Sequence, residues 1–122
     1  HLQIHPIALM HPLPNIDNAV IDERKITEYL LSSAHPRGRH KAGFFGSFGF
    51  VVGEWQGLRD ALLIHARQHS ATLCETSEYG TTYEVRGMLA VPDGRNPFVL
   101  VVWIVRDGED FPRLVTAMPS EP

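Results

Sequence analysis

The densest concentration of chemically capable side chains is His35 to Lys41. This stretch reads His-Pro-Arg-Gly-Arg-His-Lys: two arginines, a lysine, two histidines and no acid. Imidazole exchanges protons near neutral pH. Cleavage of an RNA phosphodiester requires one group to take the 2′-hydroxyl proton and another to protonate the leaving oxygen. Guanidinium and ammonium groups alongside would hold phosphate and stabilise the charge that builds on phosphorus. A helix starting near Lys41 would add backbone amides that attract the same anion. Every residue type such a reaction needs is then present, with no metal and no cofactor. The competing reading is a solvated basic loop that joins two helices.

Other constellations are weaker. His65 and His69 are four apart on a helical stretch, a spacing that can hold a metal. Ala66 stands where a His-Glu-x-x-His metalloprotease has its glutamate, so no metal site is expected. His1, His5 and His11 fall in an irregular lead and read as surface residues. The single cysteine, Cys74, excludes an internal disulfide framework and a multi-cysteine zinc site, and reads as a buried structural thiol. There is no Gly-x-Ser-x-Gly, no Walker loop and no dinucleotide fingerprint. Thr116 lies among apolar neighbours on an expected strand, where a hydroxyl needs a partner or an open face.

These residues must be positioned by the surrounding elements. Residues 1–14 carry repeated X-Pro steps and read as an extended arm or a vector-derived lead. Asp22 is a helix cap followed by Ile26, Tyr29 and Leu30 at helical spacing, until His35-Pro36 stops the element. A second, glycine-weakened helix is expected from about Lys41 to Phe48 with Phe44, Phe45 and Phe48 inward. The third, about Gly53 to His69, carries a broad stripe of Trp55, Leu58, Leu62, Ile64 and Ala66. After Ser70 the period becomes two. Tyr83, Val85, Leu89 and Val91 alternate with polar residues, Phe98 to Arg106 reads as a central strand, and Arg113 to Met118 as the last. Pro92 to Arg95 is a turn with Gly94 at positive φ. The expectation is an α+β domain over residues 15–119, with about three N-terminal helices on a roughly four-stranded antiparallel sheet.

The chain has 122 residues, 43% hydrophobic and 20% charged, which fits one packed domain. Its net charge of −3 argues against a general nucleic-acid binder, so only the local basic cluster points to a polyanion. No apolar run is long enough to span a membrane. The start at His1, without methionine or a signal-peptide pattern, reads as a piece cut from a longer protein, such as a C-terminal module.

Several of these segments together carry a resemblance. Asn15 to Asp22, Tyr29-Leu30-Leu31, His35-Pro-x-Gly38-x-x-Lys41-Ala42-x-x-Phe45, Tyr79-Gly80, Trp103-Ile104 and Arg113 to Ala117 resemble a bacterial domain family of unknown function. Its members occur alone or at the C-termini of polymorphic toxins. The helices, the meander and the final Val-Thr-Ala-x-Pro strand look more loosely like the barnase–EndoU–colicin–RelE group of metal-independent ribonuclease toxins. The chain departs from the pattern at Gly43, where a larger and often basic residue is usual, and at Met118, where a tyrosine is usual.

The resemblance implies a toxin-type ribonuclease with His35, Lys41 and Thr116 as catalytic residues and RNA, tRNA included, as substrate. In that reading His35 is the general acid or base, Lys41 and Arg39 hold phosphate, Thr116 positions substrate, and Arg37 and His40 bind phosphate. It also implies a cognate immunity protein and action in the cytoplasm of a target cell after delivery within a larger secreted protein. Two alternatives stay open: a non-catalytic module docking an acidic partner protein, and a nucleotide- or NAD-directed toxin.

Overall fold

In the computed structural model the described residues are 11–122, so His1, His5 and most of the expected arm lie outside them. The end of the arm is docked: Leu13 is fully buried and the Ala71 amide donates to the His11 carbonyl at 2.7 Å.

The architecture is α+β. Helix α1, Glu23–Lys25, opens at Asp22, whose side chain accepts from the Arg24 amide at 2.9 Å. It passes at once into a π-helical turn, Ile26–Leu30, closed by the Leu31 amide on the Ile26 carbonyl at 2.8 Å. The helical segment therefore stops well short of His35, where the sequence period pointed. Helix α2 is Arg39–Ser47 and α3 is Gln56–Gln68, the latter entered through a 3-10 turn at Val52–Glu54.

Four strands follow: β1 Ala71–Ser77, β2 Gly80–Met88, β3 Phe98–Arg106 and β4 Pro112–Pro119. They form an antiparallel meander in the order β1-β2-β3-β4. Gly94 has the positive φ that its turn requires (80°).

The helices cover one face of the sheet. Ile26, Leu30, Phe45, Leu58 and Leu62 pack with Val85, Val101 and Trp103, all fully buried. Apolar burial of this kind contributes roughly 1.5–3 kcal/mol for each large side chain. Four residue placements expected from the sequence change here. Ile64 is 46% exposed, and Trp55 is only half-buried against the core's rim. His65, expected at the edge of the stripe, occupies the inward position instead and is 1% exposed. Cys74, expected to be buried, is exposed on the edge strand β1. Beyond Ala71 neither face of β1 is covered, and the strand's own residue pattern does not reveal how far the helices reach.

Strand β4 is the opposite edge and carries the feature that shapes the site. Its pairing with β3 runs Val102↔Thr116 and then Trp103↔Leu114, so Val115 is an extra residue. The bulge lets Leu114 and Ala117, three apart, both face the core. Val20 lies along part of β4's free edge, exchanging backbone bonds with Pro112 and Leu114 at 2.9 and 3.1 Å.

Candidate functional site

A cleft of about 820 Å³ opens between the α1 segment, the loop that follows it and the outer part of β4. Tyr29 stands in its wall. Ile26 and Leu30 point into the core, and the wide π turn leaves Tyr29 half-buried on the cleft side. Its phenol oxygen is 3.2 Å from Thr116 Oγ1 beside the β4 bulge. The Nζ atoms of Lys25 and Lys41 each lie 5.5 Å from the centre of its ring. Burial alone would raise the phenol pKa. The Thr116 bond, followed by the Lys41 and Lys25 ammonium groups, outweighs that and holds it below the ordinary value.

His35 packs edge-on against the same ring, with centroids 5.0 Å apart and planes at 77°. Its Nδ1 accepts from the amides of Arg37 and Gly38 at 3.0 and 3.1 Å. An Nδ1 that accepts two amides carries no proton, so the neutral ring is protonated at Nε2. The His35 carbonyl also accepts from the Gly38 and Arg39 amides at 3.1 and 3.0 Å. Three amides leading into α2, those of Arg37, Gly38 and Arg39, are therefore occupied by His35 itself, because the turn before α2 closes on its own histidine.

Gly38 is needed for a different reason from loop freedom. Its φ of −96° suits any residue. A Cβ there would collide with the Tyr29 carbonyl and touch its ring. The missing side chain is what lets the His35 loop lie against Tyr29.

Of the six residues singled out from sequence, His35, Arg37 and Thr116 line the cleft. Lys41 is not among the lining residues, but its Nζ lies over the ring of Tyr29 in the wall. Arg39 and His40 are exposed at the start of α2 and are not part of the cleft wall. Sequence reasoning missed Tyr29, read as one more apolar-stripe residue, and Lys25, Arg106 and Arg113, which the fold brings to the same opening. No local pattern could have grouped residues from α1 and from both strands β3 and β4.

The charge distribution is uneven. Of eleven lysines and arginines, six are in ion pairs, including Arg24 with Glu28 and Arg113 with Glu109. Among the described residues, the five without a carboxylate partner are Lys25, Arg37, Arg39, Lys41 and Arg106. Three of them, Lys25, Arg37 and Arg106, line this cleft, and Lys41 lies over the ring of Tyr29 in its wall. The cleft wall of a chain with net negative charge thus carries five cations, Arg24, Lys25, Arg37, Arg106 and Arg113, against two carboxylates, Asp22 and Glu28.

Away from the cleft, His65 and His69 lie with ring centres 4.7 Å apart. Their Nε2 atoms donate to the carbonyls of Gly87 and Met88 at 3.1 and 3.0 Å, fastening α3 to β2. Among the described residues no group of three or more histidines, cysteines or carboxylates could hold a metal. Cys74 donates to the Thr72 carbonyl, and its thiol pKa is raised by desolvation and by Glu84, which disfavours the reactive thiolate.

No curated protein sequence matches the chain. Among solved structures it is similar to a chain of the contact-dependent growth inhibition toxin–immunity protein complex from Klebsiella pneumoniae 342. That likeness has a TM-score of 0.64 and 16% identity, over 88% of this chain and 97% of that one. At this identity the likeness is one of fold. The family described as a domain of unknown function, DUF6883, matches residues 12–121, nearly the whole sequence, and the chain belongs to that family.

Proposed function

We propose that this domain is a toxin-type, metal-independent ribonuclease that cuts RNA phosphodiesters in the cleft between the His35 loop and β4. The observation that carries the reading is that three of the five cations without a carboxylate partner, Lys25, Arg37 and Arg106, line that cleft, with a fourth, Lys41, over the Tyr29 ring in its wall. A positive opening on a protein of net charge −3 selects for a polyanion that fits it, rather than binding nucleic acid over its whole surface. Arg37 and Arg106 hold phosphate, the Lys41 ammonium stabilises the charge on phosphorus, and Thr116 positions the ribose. His35, with Nδ1 committed to the loop, offers Nε2–H to a phosphoryl oxygen.

The fold likeness to a chain of a toxin–immunity complex supports the toxin reading. The cationic cleft favours the toxin side of such a pair over the immunity side. On this reading the domain reaches a target-cell cytoplasm as part of a larger protein and is matched by an immunity protein. A second reading, a nucleotide- or NAD-directed toxin, is favoured by one observation. A cleft near 820 Å³ falls within the roughly 300–1,000 Å³ of small-ligand sites.

Induced expression in a bacterium without an immunity gene tests the choice. Growth arrest with specific loss of RNA, and cleavage of that RNA by purified domain in EDTA, is the expected result. Lys41→Ala should lower cleavage roughly 100-fold or more, as loss of a charge-stabilising contact does. NAD depletion with intact RNA would move the assignment to the second reading. Normal growth, with neither RNA nor NAD consumed, would leave a non-catalytic module that docks an acidic partner.

A further inference from the structure

We propose that Tyr29 is the proton acceptor of the cleft, taking the proton of the ribose 2′-hydroxyl; the inference rests on the RNA-cleaving reading above. It follows from the contacts of the titratable groups in the wall, of which Tyr29 is the one bonded to the Thr116 hydroxyl. Asp22 is bound to the Arg24 amide at 2.9 Å as the cap of α1. Glu28 is paired with the Arg24 guanidinium at 3.1 Å. The one unprotonated nitrogen of neutral His35 accepts two backbone amides. Lys25, Arg37, Arg106 and Arg113 enter as cations and have no lone pair to offer. Tyr29 remains, with its oxygen in the wall and one hydroxyl neighbour, Thr116, at 3.2 Å.

The surroundings suit a phenolate. Lys25 from α1 and Lys41 from α2 place ammonium groups over the ring, His35 meets its edge, and the Thr116 hydroxyl from β4 can donate to the oxygen. Of the other charged groups lining the cleft, Arg24, Arg37, Arg106 and Arg113 add to this effect, while Asp22 and Glu28 oppose it. The phenol pKa is held below its ordinary value by the Thr116 bond and the two lysines, against burial, which acts first and in the other direction.

The step balances as follows. The O2′–H bond breaks and the proton passes to the Tyr29 oxygen. The O2′ lone pair forms a bond to phosphorus, the P–O5′ bond breaks, and a water molecule gives the departing 5′-oxygen its proton. The hydroxide left behind removes the proton from Tyr29 and restores the phenolate. The products are a 2′,3′-cyclic phosphate and a 5′-hydroxyl.

The test uses the whole chain, an RNA substrate that the wild type cuts, and two variants, Tyr29→Phe and Thr116→Val. Single-turnover cleavage by the wild type should rise with pH to a plateau below the ordinary phenol range of about 10. Tyr29→Phe should lose roughly 100-fold or more in rate while binding RNA as the wild type does. Thr116→Val should keep measurable activity with its pH midpoint moved upward, because one stabilising bond to the phenolate is gone. Ultraviolet titration gives a readout independent of RNA. Of the three tyrosines, the one titrating earliest should vanish in Tyr29→Phe. Wild-type cleavage by Tyr29→Phe, or an unmoved pH profile in Thr116→Val, overturns Tyr29 as the acceptor and leaves the ribonuclease reading intact. A wild type that cuts no RNA removes that reading and this proposal with it.

Discussion

Lowering the pH should weaken this fold well before its carboxylates protonate, and the responsible group is His65. Its ring is 1% exposed, Nε2–H donates to the Gly87 carbonyl, and Nδ1 has no hydrogen-bond partner. A second proton would therefore bury a charge, which the backbone of Gly87 and Val99 offsets only in part. Desolvation, reinforced by neighbouring His69, depresses the pKa from 6.5 to about 4. The folded state thus refuses a proton that the unfolded chain accepts below about pH 6.5. The stability supplied by the neutral ring is complete above that value and is lost as the pH falls towards about 4. Linkage across those two values gives a loss of about 2 kcal/mol between roughly pH 7.5 and 5. For a domain of this size that is a fall in Tm of roughly 5–10 °C. Thermal melts followed by circular dichroism across that range measure it, and His65→Gln, which keeps a donor for Gly87, should flatten the dependence. A wild-type Tm constant over that range, or an equal fall in His65→Gln, would refute the assignment to His65.

Gly38→Ala should push the His35 loop away from Tyr29, because the new methyl meets the Tyr29 carbonyl. Activity should fall much more than stability, which a melt and an RNA-cleavage assay run side by side will separate; equal cleavage would show that the loop position does not matter. Phe45→Ala should cost about 3–5 kcal/mol in chemical denaturation, because its ring is fully buried. Trp55→Ala should cost clearly less, since Trp55 lies half-buried at the rim beneath the Arg59 guanidinium. The reverse order would mean that α3 presents a different face to the core.

What the sequence determined was mainly periodic. A nearly continuous apolar run placed β3 at Phe98–Arg106 to the residue, although it suggested cover on both faces and only alternate residues are buried, because the helices lie on one face. Helical spacing located α3, and the phenylalanines located α2, within a few residues. These signals are local, and burial of one face is enough to produce them. The basic run from His35 to Lys41 was equally plain, since charge clustering needs no fold to be seen.

Only the tertiary structure decided what that run does. His35 spends its Nδ1 lone pair on two amides of its own loop, a bond invisible in residue types. The helix end at Leu31, rather than at His35, follows from the π turn that turns Tyr29 towards the cleft. Thr116 reaches Tyr29, 87 residues away in sequence, beside a one-residue bulge that strict alternation would not place. Lys25 and Arg106, separated by most of the chain, become neighbours because the meander brings the end of β3 beside β4, and α1 lies along β4's free edge. Residue types set which chemistry was available; the sheet order and one close glycine contact set which groups could share a substrate.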